Sequence, residues 1–328
     1  MNMSVRALVC DKLTDDLSGV TVRGVPTPTA PCGHVLVHVH AAALNFPDLL
    51  MTRGGYQYRP EVPFVMGMEG AGEVIEAAAN ASFKVGDRVC FRTRVGACAP
   101  IVALPAAEVH SVPVNFTLAE AAAYQIAALT AYIALVHRGA LAAGETLLVH
   151  GASGGVGLAA VQLGHALGAR VIATGTSAEK LAIASNHGAD YTIDSAPTFR
   201  DRVMELTDGH GADVIFDSVG GDVFDESVHC IAWGGRLLVI GFASGRIPDL
   251  RTNLPLLKGF SLVGVRAGET GRRDPVRGAQ AQKEIERLAG AGIFKPHIGA
   301  RYPLEDGVEA LRAMALRKTA GKIVIEMS

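Results

Sequence analysis

The chain has 328 residues, 49% of them hydrophobic, and a formal net charge of −2. That length suits two domains rather than one core, and so apolar a composition supports full burial. With almost no net charge and no dense Lys/Arg block, it lacks the electrostatic footprint for nucleic acid or an anionic membrane, which leaves a small-molecule substrate as the expected partner.

The first residues carry no apolar leader-type run, and the most apolar long stretch, 121–136, is interrupted by Tyr124, Gln125 and Thr130, so no membrane span is expected. The cysteines, Cys10, Cys32, Cys90, Cys98 and Cys230, form no Cys-x-x-Cys pair. Scattered thiols of this kind fit a reducing, cytoplasmic setting.

From about Arg6 to Pro113, short β-type runs at 20–23, 34–40 and 72–76 are broken by Pro and Gly, and predict a β-rich domain over 1–120. In the second run His34, His38 and His40 share one strand face. Three imidazoles on one face are a metal-binding pattern, but a strand with its valines turned inward shows polar groups to water, and no metal is expected.

After Pro113 the period lengthens. Thr117 and Glu120 make a capping box, and Ile126, Leu129, Ile133 and Val136 line one face of a connecting helix ending near Gly139. Strands at 146–150, 170–174, 191–194, 212–217 and 236–241 then alternate with helices, and 260–265 supplies a last strand. This alternation predicts an α/β fold with a doubly wound parallel sheet over 121–266. Residues 267–328 are expected to complete the first domain, through a strand at 322–326.

The most informative stretch is 147–157, an apolar strand, a glycine-dense turn and the start of a helix. Such a turn aims backbone N–H groups and the positive helix end at a pyrophosphate. Ala152, Gly154 and Gly157 fill the three places of the Gly-x-Gly-x-x-Gly fingerprint, alanine replacing the first glycine, with Ser153, Gly155 and Val156 in the same cradle. Roughly 20 residues on, where an NAD site places Asp or Glu on the ribose, stand Thr174, Gly175, Ser177 and Lys180. Hydroxyls, backbone N–H groups and an ammonium accept a 2′-phosphate, so NADPH is the expected cofactor. Ser177 reads equally as a helix N-cap, which is compatible. Val219 and Gly220 after one strand, and Phe242 and Ala243 after another, fall at the C-terminal strand edges where Rossmann ligands sit.

With this fingerprint, the stretch from Asn45 through Pro47, Asp48 and Arg53 to Tyr56, the stretch 63–72, the run from Gly86 to Val89 and the stretch 129–132, the chain resembles the zinc-independent medium-chain dehydrogenase/reductases over essentially its whole length. The quinone oxidoreductases, of ζ-crystallin type, are the branch it resembles most. The resemblance implies a GroES-like catalytic domain, a Rossmann domain, a cleft for nicotinamide and substrate, and a homodimer, for which the strand at 260–265 offers an edge. It also implies a nicotinamide-side contact at Thr130 and places Lys322 near the cofactor.

In the zinc-dependent branch a Cys and a His ligate zinc where this chain has Asn45 and Met68. An amide is a poor zinc ligand and a thioether too soft. Without a Lewis acid, quinones and α,β-unsaturated carbonyls, which delocalise the incoming electron pair, are the expected acceptors. Asn45 and Tyr56 are the candidate catalytic donors to the carbonyl, and Tyr56 the candidate proton donor. Two other activities suit the scaffold: reduction of enoyl thioesters, with Arg53, Arg92, Arg94 or Arg266 meeting a carrier phosphate, and NADPH binding with little turnover. Relatives often carry tyrosine where this chain has Leu50.

Overall fold

The computed structural model describes residues 4–78, 82–195 and 199–327. The chain divides into two compact units, Met1–Ile126 with Pro296–Ser328, and Ala127–Lys295.

The first unit begins with β1 (Ser4–Cys10), β2 (Val20–Pro26), β3 (His34–Leu44), α1 (Phe46–Met51), β4 (Phe64–Val65), β5 (Glu69–Ala77), β6 (Arg88–Arg92), β7 (Ile101–Pro105) and β8 (Val109–Ser111). The helix α2 (Leu118–Tyr132) carries the chain into the second unit. There follow β9 (Thr146–Val149), α3 (Gly155–Ala166), β10 (Arg170–Gly175), α4 (Ala178–Asn186), β11 (Tyr191–Asp194), α5 (Phe199–Leu206), β12 (Ala212–Asp217), α6 (Gly221–Cys230), β13 (Ile231–Val239), α7 (Asn253–Lys258), β14 (Ser261–Gly264), α8 (Ala267–Arg273) and α9 (Pro275–Gly290). The chain returns to the first unit with β15 (Ile298–Pro303), α10 (Gly307–Ala315) and β16 (Lys322–Glu326).

In the first unit a sheet of order β15-β16-β3-β5-β6-β8, with β7 also on β3, accompanies a small sheet β2-β1-β4. The tail strand pairs where expected: β16 runs antiparallel to β3, with Ile323 opposite Leu44. On its other side lies β15, a strand the sequence pattern does not announce. Along β3, Val35, Val37 and Val39 are fully buried while His34, His38 and His40 are half-exposed, as the period-two reading requires. Among the described residues no group of three or more His, Cys, Asp or Glu is placed to hold a metal ion.

The second unit holds the expected all-parallel sheet, in the order β11-β10-β9-β12-β13-β14. Its central strands contribute Leu148, Ile172, Ile215 and Leu237, all fully buried, and Phe199, Val203, Phe224 and Val228 cover them from α5 and α6. Burial of side chains this size stabilises by about 1.5–3 kcal/mol each. β13 begins at Ile231, ahead of the expected 236, and its register on β12 shifts between Ala212 and Val214.

One expectation needs correcting. The boundaries fall at 126 and 296, not at 120 and 267, so the segment 267–295 belongs to the second unit rather than to the first. Ala267 and Ala281 bury against Ile133, with Leu129, Tyr132 and Val265 packed around them. Gln162 also grips the end of the segment from both sides, donating to the Lys295 carbonyl at 2.8 Å and accepting its N–H at 3.3 Å.

The connecting helix starts as its capping box predicts: the Thr117 N–H and hydroxyl both donate to Glu120 Oε2 at 2.8 Å, and the Glu120 N–H returns to Thr117 Oγ1 at 3.3 Å. It closes in a π turn, Ile133–Arg138, before Gly139. By length and composition Leu118–Arg138 passes as a membrane span, but 67% of its apolar window is buried inside the protein. That apolarity serves packing.

Candidate functional site

The nucleotide cradle is built from the ends of three adjacent strands. β9 is flanked by β10 and β12, so the sheet reverses its winding there, the place where open α/β sheets bind ligands. After His150 the chain turns through Gly151, whose φ of +62° belongs to the left-handed region. The Ala152 N–H donates to the Thr174 carbonyl at 3.1 Å, and Ala152 is fully buried. A methyl is therefore accepted at the first fingerprint place. The last place is different: a Cβ on Gly157 would lie 2.3 Å from the Gly151 carbonyl oxygen, so only glycine lets α3 approach the turn. No side chain caps α3 at Gly154, and the first-turn amides at Gly155, Val156 and Gly157, beside Ser153, remain for an anionic ligand.

Val219, Gly220, Phe242 and Ala243, the candidate contacts at the strand ends, lie close to one another. Asp217 Oδ1 accepts the N–H groups of Val219 and Gly220 at 2.8 and 2.9 Å. The Ala243 N–H donates to the Ser218 carbonyl at 3.1 Å, and a Cβ on Gly220 would lie 2.9 Å from the Phe242 ring. Burial pushes the Asp217 carboxyl above its ordinary pKa, against the pull of those two N–H groups.

At the end of β10, Gly175 is buried and Ser177 exposed, and Ser177 caps α4 by accepting the Lys180 N–H at 3.3 Å. The acidic side chain nearest in sequence, Glu179, follows inside α4. Thr174 departs from its expected role. It is 1% exposed, and its hydroxyl lies 2.9 Å from His150 Nδ1, so it supports the cradle rather than facing a ligand. Thr130, half-buried on α2, belongs to this same unit.

Asn45, Tyr56 and Lys322 belong to the first unit. Asn45 stands at the head of α1, where Asp48 Oδ2 accepts its N–H at 2.8 Å. Its side chain closes a buried triangle: Lys322 Nζ donates to Asn45 Oδ1 at 2.6 Å and to Glu69 Oε1 at 2.7 Å, and Asn45 Nδ2 donates to Glu69 Oε1 at 3.0 Å. The second Nδ2 hydrogen goes to the Ala43 carbonyl at 3.3 Å, and Glu69 Oε2 accepts the N–H of Ile126 at 3.0 Å. Thus the Asn45 amide, expected as a donor to substrate, has both N–H bonds committed. Lys322, expected at the cofactor, is 5% exposed and carries its charge beside the 1% exposed Glu69. A buried carboxylate of this kind requires such a partner.

Sequence reasoning missed Glu69 and Asp48. Glu69 was visible as one acid inside the apolar and glycine run 64–72, where burial of a charge implies a partner. Asp48 is fully buried, and burial pushes its carboxyl up to about 7 against the N–H groups of Asn45 and Gly67 and the charge of Lys322. Burial raises the neighbouring Cys98 thiol as well. All five cysteines are free. Tyr56 is half-buried, its ring packed on the core of the first unit.

At the two positions where zinc-dependent relatives carry ligands, the Asn45 oxygen accepts an ammonium hydrogen and Met68 packs on the core. This donor set does not fit zinc.

Residues 31–128 match the family described as alcohol dehydrogenase GroES-like domain, and 155–283 match that described as zinc-binding dehydrogenase. A protein of Nematostella vectensis called quinone oxidoreductase-like protein 2 homolog is 39% identical over 98% of this chain and 89% of its own length. A mycobacterial protein solved with NADPH superimposes with a TM-score of 0.90 at 31% identity, covering 98% of this chain and all of that one. The quinone oxidoreductase of Thermus thermophilus, solved with and without NADPH, gives a TM-score of 0.84 at 30% identity, with 98% and 99% coverage.

Proposed function

The chain belongs to the zinc-independent medium-chain dehydrogenase/reductases of the quinone oxidoreductase kind, and from that premise we propose that it is a cytoplasmic enzyme reducing quinones and other α,β-unsaturated carbonyl compounds with NADPH. The observation that carries this reading is the uncapped, glycine-tight start of α3, beside a strand end that offers Ser177 and Lys180.

When bound, NADPH supplies a hydride from nicotinamide C4. The first-turn amides of α3 hold the pyrophosphate, and Ser177 with Lys180 holds the 2′-phosphate. A conjugated acceptor spreads the arriving charge, so it depends on a Lewis acid less than a simple ketone does. Tyr56 donates the hydrogen bond and the proton. Asn45, Glu69 and Lys322 act as a fixed polar framework, because the amide has no N–H left to offer. The partner is a small molecule, together with a second copy of the chain paired through the free edge of β14.

NADPH absorbance followed with a 1,4-quinone, a short enone and crotonyl-CoA tests the reading. The quinone or the enone is expected to be the fastest. Fastest turnover of crotonyl-CoA reassigns the acceptor to acyl thioesters, and tight NADPH binding without oxidation removes the enzymatic reading.

A further inference from the structure

Hydride transfer has no use for an imidazole at His150, yet this residue, the last before the Gly151 turn, is fully buried. Its N–H donates to the Phe216 carbonyl of β12 at 3.0 Å, and its carbonyl accepts the Ser218 hydroxyl at 3.1 Å. Its ring lies between two hydroxyls, Thr174 Oγ1 of β10 at 2.9 Å from Nδ1 and Ser227 Oγ of α6 at 2.8 Å from Nε2. The Phe199 ring meets it edge-on at 5.0 Å.

Hydrogen-bond logic assigns the protons. The Ser227 hydroxyl donates to the Val223 carbonyl at 2.6 Å, so it accepts from His150 Nε2–H. Nδ1 is then the bare nitrogen and accepts from the Thr174 hydroxyl. Burial pushes the imidazole down to about 3, so this neutral tautomer persists through the physiological range. Thr174 thus holds the cradle twice, by its hydroxyl to His150 and by its carbonyl to the Ala152 N–H.

We propose that His150 is a positioning residue for the coenzyme: its ring fixes the end of β10, which leads to Ser177 and Lys180, against the glycine turn at the end of β9, and so sets the spacing between the 2′-phosphate and pyrophosphate sites. This rests on the NADPH reading above. A ligand with ionic contacts at both strand ends loses affinity when their spacing slackens. NADH, with a hydroxyl in place of the 2′-phosphate, loses less. An apolar residue of similar size fills the same space but holds neither hydroxyl: Ser227 keeps its bond to the Val223 carbonyl, while the buried Thr174 hydroxyl loses its acceptor.

The test is calorimetric titration of NADPH and NADH against wild type, His150→Leu, His150→Asn, Thr174→Val and the Leu/Val double variant. His150→Leu is expected to weaken NADPH at least 10-fold and NADH about twofold, and His150→Asn, which again offers an acceptor and a donor, to recover most of the loss. Thr174→Val keeps the side-chain shape and guards against a His150→Leu chain that fails to fold. It is expected to shift the NADPH to NADH ratio the same way, with the double variant no worse than the worse single one. An unchanged ratio with a lowered melting temperature, or additive losses, overturns the proposal and leaves His150 as a core residue. A wild type that binds NADH as tightly as NADPH overturns the coenzyme reading itself, and shows this before any substitution is made.

Discussion

Asp48 and His150 pull the pH dependence of stability in opposite directions. The folded state keeps a proton on Asp48 up to about 7, whereas the unfolded carboxyl releases it near 3.8, so this contribution is full below 3.8 and is lost as pH rises towards 7. His150, held down to about 3, refuses a proton that the unfolded chain binds near 6.5; its contribution is full above 6.5 and is lost as pH falls towards 3. Between these limits the two slopes partly cancel. Asp48→Asn is expected to unmask the imidazole, so that urea-unfolding free energy falls more steeply than in wild type from pH 6.5 to 4, by about 3 kcal/mol over that span. Equal slopes in the two proteins place Asp48 at an ordinary carboxylate pKa. The comparison uses slopes because the amide also loses one of the two N–H bonds that Asp48 accepts.

At the scale of elements, α3 depends on two glycines that do different things. The added methyl in Gly157→Ala would sit 2.3 Å from the Gly151 oxygen and push the helix off the turn, which is expected to lower stability by about 1–3 kcal/mol and to abolish tight NADPH binding. At Gly154 the nearest atom lies 3.3 Å away and φ is −75°, so Gly154→Ala is expected to melt close to wild type while still losing NADPH affinity. Thermal unfolding and calorimetry on the pair separate the roles, and equal melting temperatures refute the clash. These glycines were legible because strand, turn and helix are adjacent in sequence. The Lys322 triangle was not, since its members lie 277 and 253 residues apart and nothing local announces the contact. The 267–295 segment was misplaced for a related reason. The alanines that seat it are small, and a sparse apolar face shows that a helix packs without showing on what.

For the whole molecule, the sheet of the second unit leaves β14 as a terminal strand, with Leu262 44% exposed. Trp233, 78% exposed and packed over Gly259 just before β14, is the one tryptophan of the chain. If two copies pair there, light scattering reports twice the 34.2 kDa chain mass. Leu262→Lys is expected to return the mass to that of one chain and to shift tryptophan emission to the red; unchanged mass and emission place the contact elsewhere. The discontinuous first unit has a consequence for biosynthesis. Its N-terminal 126 residues leave the ribosome long before Pro296, and the entire nucleotide unit is made in between. Throughout that interval Glu69 and Asn45 wait without their ammonium, and β3 lacks the neighbour that β16 becomes. Translation therefore delivers the middle of the polypeptide in foldable form first, and the piece begun earliest is the one finished last.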